Sequence, residues 1–264
     1  DTQNYHNAYK PIFDGMTQWI ADNRAALDIR FVFHTGDVVG SWSSEDQWRQ
    51  ARESMDILSS ASIPFLAACG NHDIGYRMNY ANFLKYVLSL RPASMSQEYG
   101  DTGSRYELFS ANGRDYIFMG IAFSNKGPSE DEVNWINGVL RQYSSRDAII
   151  ITHSYLKKSA SYTTQGKAIF EKIVKANPNV FLVLCGHCRD ISYKNVQLDD
   201  DGDGNPDRTV YAILSNFQGS KAGGGGYMRI LDFRDSDIYI YTYSPYYDSC
   251  EYPKGKTEAT VPLP

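Results

Sequence analysis

Phe65-Leu66-Ala67-Ala68-Cys69-Gly70-Asn71-His72-Asp73 runs straight from an apolar stretch into a glycine and three polar side chains. The apolar part, from Ile63 to Ala67, reads as a short strand buried on both faces. Three other stretches have the same form: Phe31-Val32-Phe33-His34-Thr35-Gly36-Asp37, Ile149-Ile150-Ile151-Thr152-His153 and Val183-Leu184-Cys185-Gly186-His187. Each delivers a carboxylate, an amide or an imidazole where its strand stops. The glycines before Asp37, Asn71 and His187 let the backbone turn sharply as it leaves the strand.

Working outward, helical periodicity is predicted from about Asp14 to Leu27, through Trp48, Ala51, Met55 and Leu58, and through Tyr80 to Leu88 with a stop at Arg91-Pro92. Further helices are predicted over Asp131 to Tyr143 and Lys167 to Ala176, and further strands over Tyr116 to Ile121, Ala148 to Ile151 and Val180 to Leu184. Strands alternating with helices imply a largely parallel sheet in the first two thirds of the chain. The last third reads as Thr209 to Leu214, Tyr227 to Phe233 and Ile238 to Tyr243 with glycine-rich turns, which favours antiparallel pairing. The expected fold is therefore an α/β sandwich of two mixed β-sheets. Gly223 to Gly226 reads as a flexible loop.

The chain has 264 residues, 42% hydrophobic and 22% charged, with a formal net charge of -5. That length suits one domain, residues 1-264, with 244-264 as a C-terminal tail. No apolar run approaches the ~18 residues of a membrane span, and the acidic balance gives no footprint for duplex nucleic acid. Four cysteines make no dense disulfide framework; the 20 tyrosines and an acidic loop reading Asp199 to Asp207 suit an extracytoplasmic or secreted protein.

In open α/β sheets the carboxyl ends of parallel strands form the crevice where ligands bind, so the four strand-end groups are expected to converge. Any one of them alone is more often a cap or turn residue. Of five histidines, however, His72, His153 and His187 all fall at strand ends. Mixed oxygen and imidazole donors suit Mn, Fe, Zn or Ni.

Asp1-Thr2-Gln3, Gly36-Asp37-Val38-Val39, Gly70-Asn71-His72-Asp73, Thr152-His153 and Gly186-His187 together resemble the ordered motif series of calcineurin-like metallophosphoesterases. The resemblance covers nearly the whole chain, and its most specific block is Gly-Asn-His-Asp. It implies a four-layer sandwich with helices outside two sheets, and a strand ahead of Asp1. It also implies a dinuclear metal site with Asp1, Gln3, Asp37, Asn71, His153 and His187 as ligands. Asp37 would bridge the metals, and a metal-activated hydroxide would attack phosphomonoesters or phosphodiesters. His72 would contact the phosphate or protonate the leaving oxygen, with Asp73 orienting its ring.

Two positions depart from the family pattern. Gln3 and Arg189 stand where the family has histidines, so both imidazoles expected at the first metal are missing. Arg189 cannot bind a metal, since its guanidinium has no acceptor; it is either a phosphate clamp or a surface residue paired with Asp190. The substrate is expected to be a small phosphorylated molecule of unspecified type; the oligomeric state has no readable signature.

Three other signals compete. Cys185-Gly186-His187-Cys188 spells a thiol-disulfide oxidoreductase motif, although no amphipathic helix follows it. Asp199, Asp201 and Asp203 resemble the start of a calcium loop, but Val210 stands where such a loop places a bidentate glutamate. Asn216-Phe217-Gln218 either lines the pocket or ends a strand. A non-catalytic binding module with one structural metal is the remaining alternative.

Overall fold

The computed structural model describes residues 1–90, 96–253 and 258–264. The expected helix stop at Arg91-Pro92 lies outside the described residues. In chain order the helices are α1 (Lys10–Asn23), α2 (Glu45–Ser60), α3 (Asn71–Ile74), α4 (Ala81–Tyr86), α5 (Glu130–Gln142) and α6 (Thr164–Ile169). The strands are β1 (Val32–His34), β2 (Phe65–Ala67), β3 (Ser96–Tyr99), β4 (Ser104–Ala111), β5 (Arg114–Ile121), β6 (Asp147–Thr152), β7 (Val180–Cys185), β8 (Asp190–Leu198), β9 (Arg208–Asn216), β10 (Met228–Phe233), β11 (Asp237–Tyr243) and β12 (Ala259–Pro262).

Local chemistry sets the helix starts. Pro11 sits in the first turn of α1, where its missing N–H is no loss. Side-chain oxygens of Ser44, Ser129 and Thr163 cap α2, α5 and α6 by accepting from the backbone N–H of Gln47, Glu132 and Gly166. α2 turns Trp48, Ala51, Met55 and Leu58 inward, at the spacing of one helical face. α6 runs on into one wider turn of π-helix, Phe170–Val174, which keeps Phe170, Ile173 and Val174 buried.

A seven-stranded mixed sheet has the order β3-β4-β5-β6-β7-β9-β8. Its centre, β5-β6-β7-β9, is parallel, and the strands at its two ends pair antiparallel. The last third is thus not wholly antiparallel: β9 joins β7 in parallel and only then turns back against β8. The second sheet comes in two pieces, parallel β1-β2 and antiparallel β10-β11-β12. The stretch expected as a tail supplies β12, which pairs with β11.

The four expected layers are present. α5 and α6 cover one face of the large sheet around Ile136, Leu140, Ile150, Ile169 and Val183. The two sheets meet through Leu66, Phe118, Ile149, Ile151, Leu182, Ile213, Ile238 and Ile240. α1, α2 and α4 close the far side around Phe13, Trp48, Met55, Phe65 and Phe83. Between β1 and β10 the second sheet is open, and a slot of about 690 Å³ separates them. Gly223 to Gly226 is not loose: Tyr5 Oη accepts from Gly226 N–H at 2.9 Å, and Ser244 Oγ donates to the Gly225 carbonyl at 2.6 Å. A side chain at Gly224 would meet Tyr5 Oη at 2.5 Å, and the φ of +133° there also favours glycine. No helix among the described residues is long and apolar enough to cross a membrane.

Candidate metal centre

β1, β2, β6 and β7 all end at the same edge of the sandwich, and their exits bring Asp37, Asn71, His153 and His187 together. The turn after β1 places Asp37 with φ +53°, and the turn after β7 places His187 with φ +67°. Both conformations are costly for non-glycine residues and persist because the surroundings enforce them. Gly70 explains part of that enforcement. A Cβ there would lie 2.2 Å from the Asp37 backbone nitrogen and 2.3 Å from Asp37 Oδ1, so only glycine permits the approach.

His153 is fully buried. Its Nδ1 lies 2.8 Å from the Thr35 carbonyl, which accepts the ring proton and leaves Nε2 with a lone pair facing the centre. Around that Nε2 stand Asn71 Oδ1 at 3.0 Å, His187 Nδ1 at 3.1 Å and Asp37 Oδ2 at 3.2 Å. Ligand atoms of Asp37, His153 and His187 all lie within 4.8 Å of one another. With the His153 proton on Nδ1 and that of His187 on Nε2, these lone pairs face one another, and a cation among them removes the conflict. The residues present therefore fit one divalent ion. Its softness is set by two imidazoles and two oxygens, which suits a transition metal.

Electrostatics agree with that donor role. Burial works to raise the Asp37 carboxyl, but the adjacent His153 and the His72 backbone N–H outweigh it and hold the group at about 2. Burial, reinforced by His153, lowers the His187 imidazole to about 4, so it is neutral and able to donate its lone pair at neutral pH. The His72 backbone N–H donates to Asp37 Oδ1 at 2.8 Å.

The remaining expected residues sit differently. Both oxygens of Asp1 lie 3.2 Å from the His187 backbone nitrogen, whose N–H they accept. Gln3 turns its amide nitrogen to Asp37 Oδ2, donating at 2.9 Å. Neither joins the group around His153 Nε2. Asp73 does not orient His72. Its Oδ1 accepts from Val38 and Val39 N–H at 2.8 and 3.1 Å and its Oδ2 from Gly70 N–H at 2.8 Å, so it ties the β1 and β2 exits together. The exposed His72 ring instead has Nδ1 2.9 Å from the Gly40 carbonyl. Arg189 is exposed, and its guanidinium has no hydrogen bond or ion pair with any described residue. Asp190, the partner expected for it, pairs with Lys158 at 2.6 Å.

The dithiol reading meets two obstacles. Cys185 closes β7 instead of opening a helix, and burial pushes its thiol up to about 12, while Cys188 is raised too. A thiolate nucleophile needs the opposite shift. In the acidic loop, Asp199, Asp201 and Asp207 gather their carboxylates, all exposed, whereas Asp203 Oδ1 accepts from Asn205 N–H. Asp207, not Asp203, is the third member of that cluster.

Sequence reasoning missed three contributors, Thr35, Gly40 and Phe123. Thr35 and Gly40 act through backbone carbonyls, which carry no sequence signal. Phe123 lies 5.9 Å, centroid to centroid, from each of the His153 and His187 rings. Asn216, the last residue of β9, donates from Nδ2 to the His187 carbonyl at 3.0 Å and accepts from Gln218 N–H, so the Asn216-Phe217-Gln218 stretch both ends a strand and holds a candidate ligand.

A family model described as calcineurin-like phosphoesterase matches residues 1–188. An uncharacterized protein of Bacillus subtilis (strain 168), YvnB, is 41% identical over 252 residues, 93% of this chain. The chain spans only 19% of that relative's length. Among solved structures, the crystal structure of TT1561 of Thermus thermophilus superposes with a TM-score of 0.51 at 14% identity, covering 89% of this chain and 93% of that one.

Proposed function

The chain belongs to the calcineurin-like phosphoesterase family, and from that premise we propose that it hydrolyses small phosphomonoesters or phosphodiesters at the centre built by Asp37, Asn71, His153 and His187. The observation that carries the reading is the crowd of lone pairs around His153 Nε2, with three ligand atoms at 3.0 to 3.2 Å. A divalent ion held there supplies Lewis acidity, lowering the pKa of water and offsetting charge on the phosphoryl oxygens.

The chain's own groups do the rest. Thr35 fixes the tautomer and the ring plane of His153. The His72 N–H and the Gln3 amide hold the Asp37 carboxylate by one oxygen each, so it does not rotate when substrate arrives. With Nδ1 set against the Gly40 carbonyl, His72 has Nε2 left to give a proton to the leaving oxygen or to bind a phosphoryl oxygen. Arg189, two residues beyond His187 and without a partner among the described residues, offers its fork of donors to phosphate.

A panel of chromogenic phosphomonoesters and phosphodiesters, assayed before and after chelation, tests this. Hydrolysis is expected to vanish on metal removal and to return with Mn, Fe, Zn or Ni. If no ester is turned over with any of these ions and chelation only lowers thermal stability, the metal is structural and the protein is a binding module.

A further inference from the structure

Of His72, His153 and His187, only His72 has an exposed ring, and the two segments that hold it meet beyond it. Its Nδ1 lies 2.9 Å from the Gly40 carbonyl. The loop carrying that carbonyl is fixed: Gly40 and Ser41 N–H donate to Gln47 Oε1 at 3.0 and 2.9 Å, and the Trp42 carbonyl accepts from Trp48 Nε1 at 2.8 Å and Asn82 Nδ2 at 2.9 Å. From His72 onward the chain leaves α3, reverses at Gly75 with φ +59° and presents Tyr76. The Trp42 indole lies against Gly75, where a Cβ would stand 2.1 Å from Trp42 Cδ1. Its ring meets that of Tyr76 with centroids 6.4 Å apart and planes at 89°. Tyr76 is 81% exposed, more than any other large hydrophobic side chain among the described residues. Arg77 donates from Nε to Tyr76 Oη at 3.1 Å, which steadies the phenol ring.

Resting on the phosphoester hydrolysis proposed above, we propose that Trp42 and Tyr76 are the specificity-determining pair of the centre: they receive the leaving group and select esters in which it carries a planar aromatic ring. With the phosphoryl group at the buried ligands, the leaving oxygen falls to His72 Nε2, and whatever that oxygen carries extends outward over the Trp42 loop and the Tyr76 turn. A single exposed tyrosine needs no explanation. Here, however, two aromatic rings from separate segments are locked at right angles, and both segments lean on His72. Rings so placed leave a flat face for a third ring in an offset stack while the neighbour supplies its edge, the arrangement that aromatic quadrupoles favour. Because the loop and the turn are fixed before a ligand arrives, stacking costs little ordering. An aliphatic leaving group meets the same surface with no π face to match.

The test measures kcat/KM for phenyl, adenosine and glyceryl phosphates, each as the monoester and as its methyl diester, in the parent, Tyr76→Ala and Tyr76→Phe. In Tyr76→Ala the ratio for the ring-bearing esters over the glyceryl ester is expected to fall ~10-fold, carried by KM, whereas Tyr76→Phe keeps it. Taking the ratio cancels any general damage to the centre. A fall confined to the adenosine ester assigns the ring as a nucleobase; one confined to the phenyl ester assigns it as a simple aryl group. An unchanged ratio in a variant that still hydrolyses these esters overturns the pair's role and leaves phosphoester hydrolysis standing. If the parent hydrolyses none of them, hydrolysis itself falls and the pair is judged by binding. Trp42 emission, read as the difference between the parent and Trp42→Phe, is then expected to be quenched by phenyl phosphate or adenosine 5′-monophosphate and not by glycerol phosphate, and no quenching by either ring-bearing ligand overturns the pair as a ring site.

Discussion

At the scale of single residues, the centre depends on what Asp37 touches. Asp37→Asn keeps the shape but removes the charge that pairs with a cation, and kcat/KM for phosphoesters is expected to fall by ~1000-fold or more, several kcal/mol of barrier. Steady-state kinetics on a variant of native circular dichroism checks this; retained activity would move the centre elsewhere. Gly70→Ala is expected to be as damaging without touching a ligand, because the new methyl would sit 2.2 Å from the Asp37 nitrogen. Elemental analysis should then show metal lost along with activity. Arg189→His supplies an imidazole beside His187, and metal per chain is expected to rise above that of the parent; an unchanged ratio would mean the position points away from the centre. The ligands are legible in the sequence because carboxylate, amide and imidazole stand at strand ends. Asp73 misleads for a physical reason: sequence places it beside His72, but a buried carboxylate gains more from the three backbone N–H groups of Val38, Val39 and Gly70 than from one exposed ring.

At the scale of elements, α2 and β5 to β7 are readable from periodicity because burial there follows apolar residues. β4 is not, since it buries Ser104, Arg105 and Glu107, side chains that an apolarity pattern assigns to solvent. β8 escapes for the converse reason. It is an edge strand, and its residues from Tyr193 on stay half-buried or exposed, so neither face is marked. Helix starts differ by three or four residues where local chemistry, not periodicity, decides: Pro11 opens α1 and the Thr163 side chain caps α6. The glycine loop reads as flexible in the sequence because its packing comes from Tyr5, 221 residues away. Tyr5→Phe leaves the Gly226 N–H without its acceptor, and about 1 kcal/mol of stability is expected to go, roughly 2 to 4 °C in Tm. Calorimetry reads it; a Tm unchanged within error would show that the loop holds by sterics alone.

At the scale of the whole molecule, a metal bound to the folded chain and not to the unfolded one adds RT ln(1 + [M]/Kd) to stability. Removing it by dialysis against chelator is expected to lower Tm by several degrees, with recovery on adding Mn or Zn, measured by differential scanning fluorimetry. An unchanged Tm would mean that the lone pairs around His153 find another compensation. The way those ligands are spread along the chain also fixes a timetable. During synthesis Asp37 and Asn71 emerge before His187, which follows Asn71 only after a delay on the order of ten seconds at ~5 to 20 residues per second. Until β7 lies beside β6, no ion finds more than part of its shell. The ion that ends up in the protein is therefore chosen only once β7 has docked, from whatever supply surrounds the folding domain, and the same polypeptide refolded in a different ionic medium should emerge carrying a different metal.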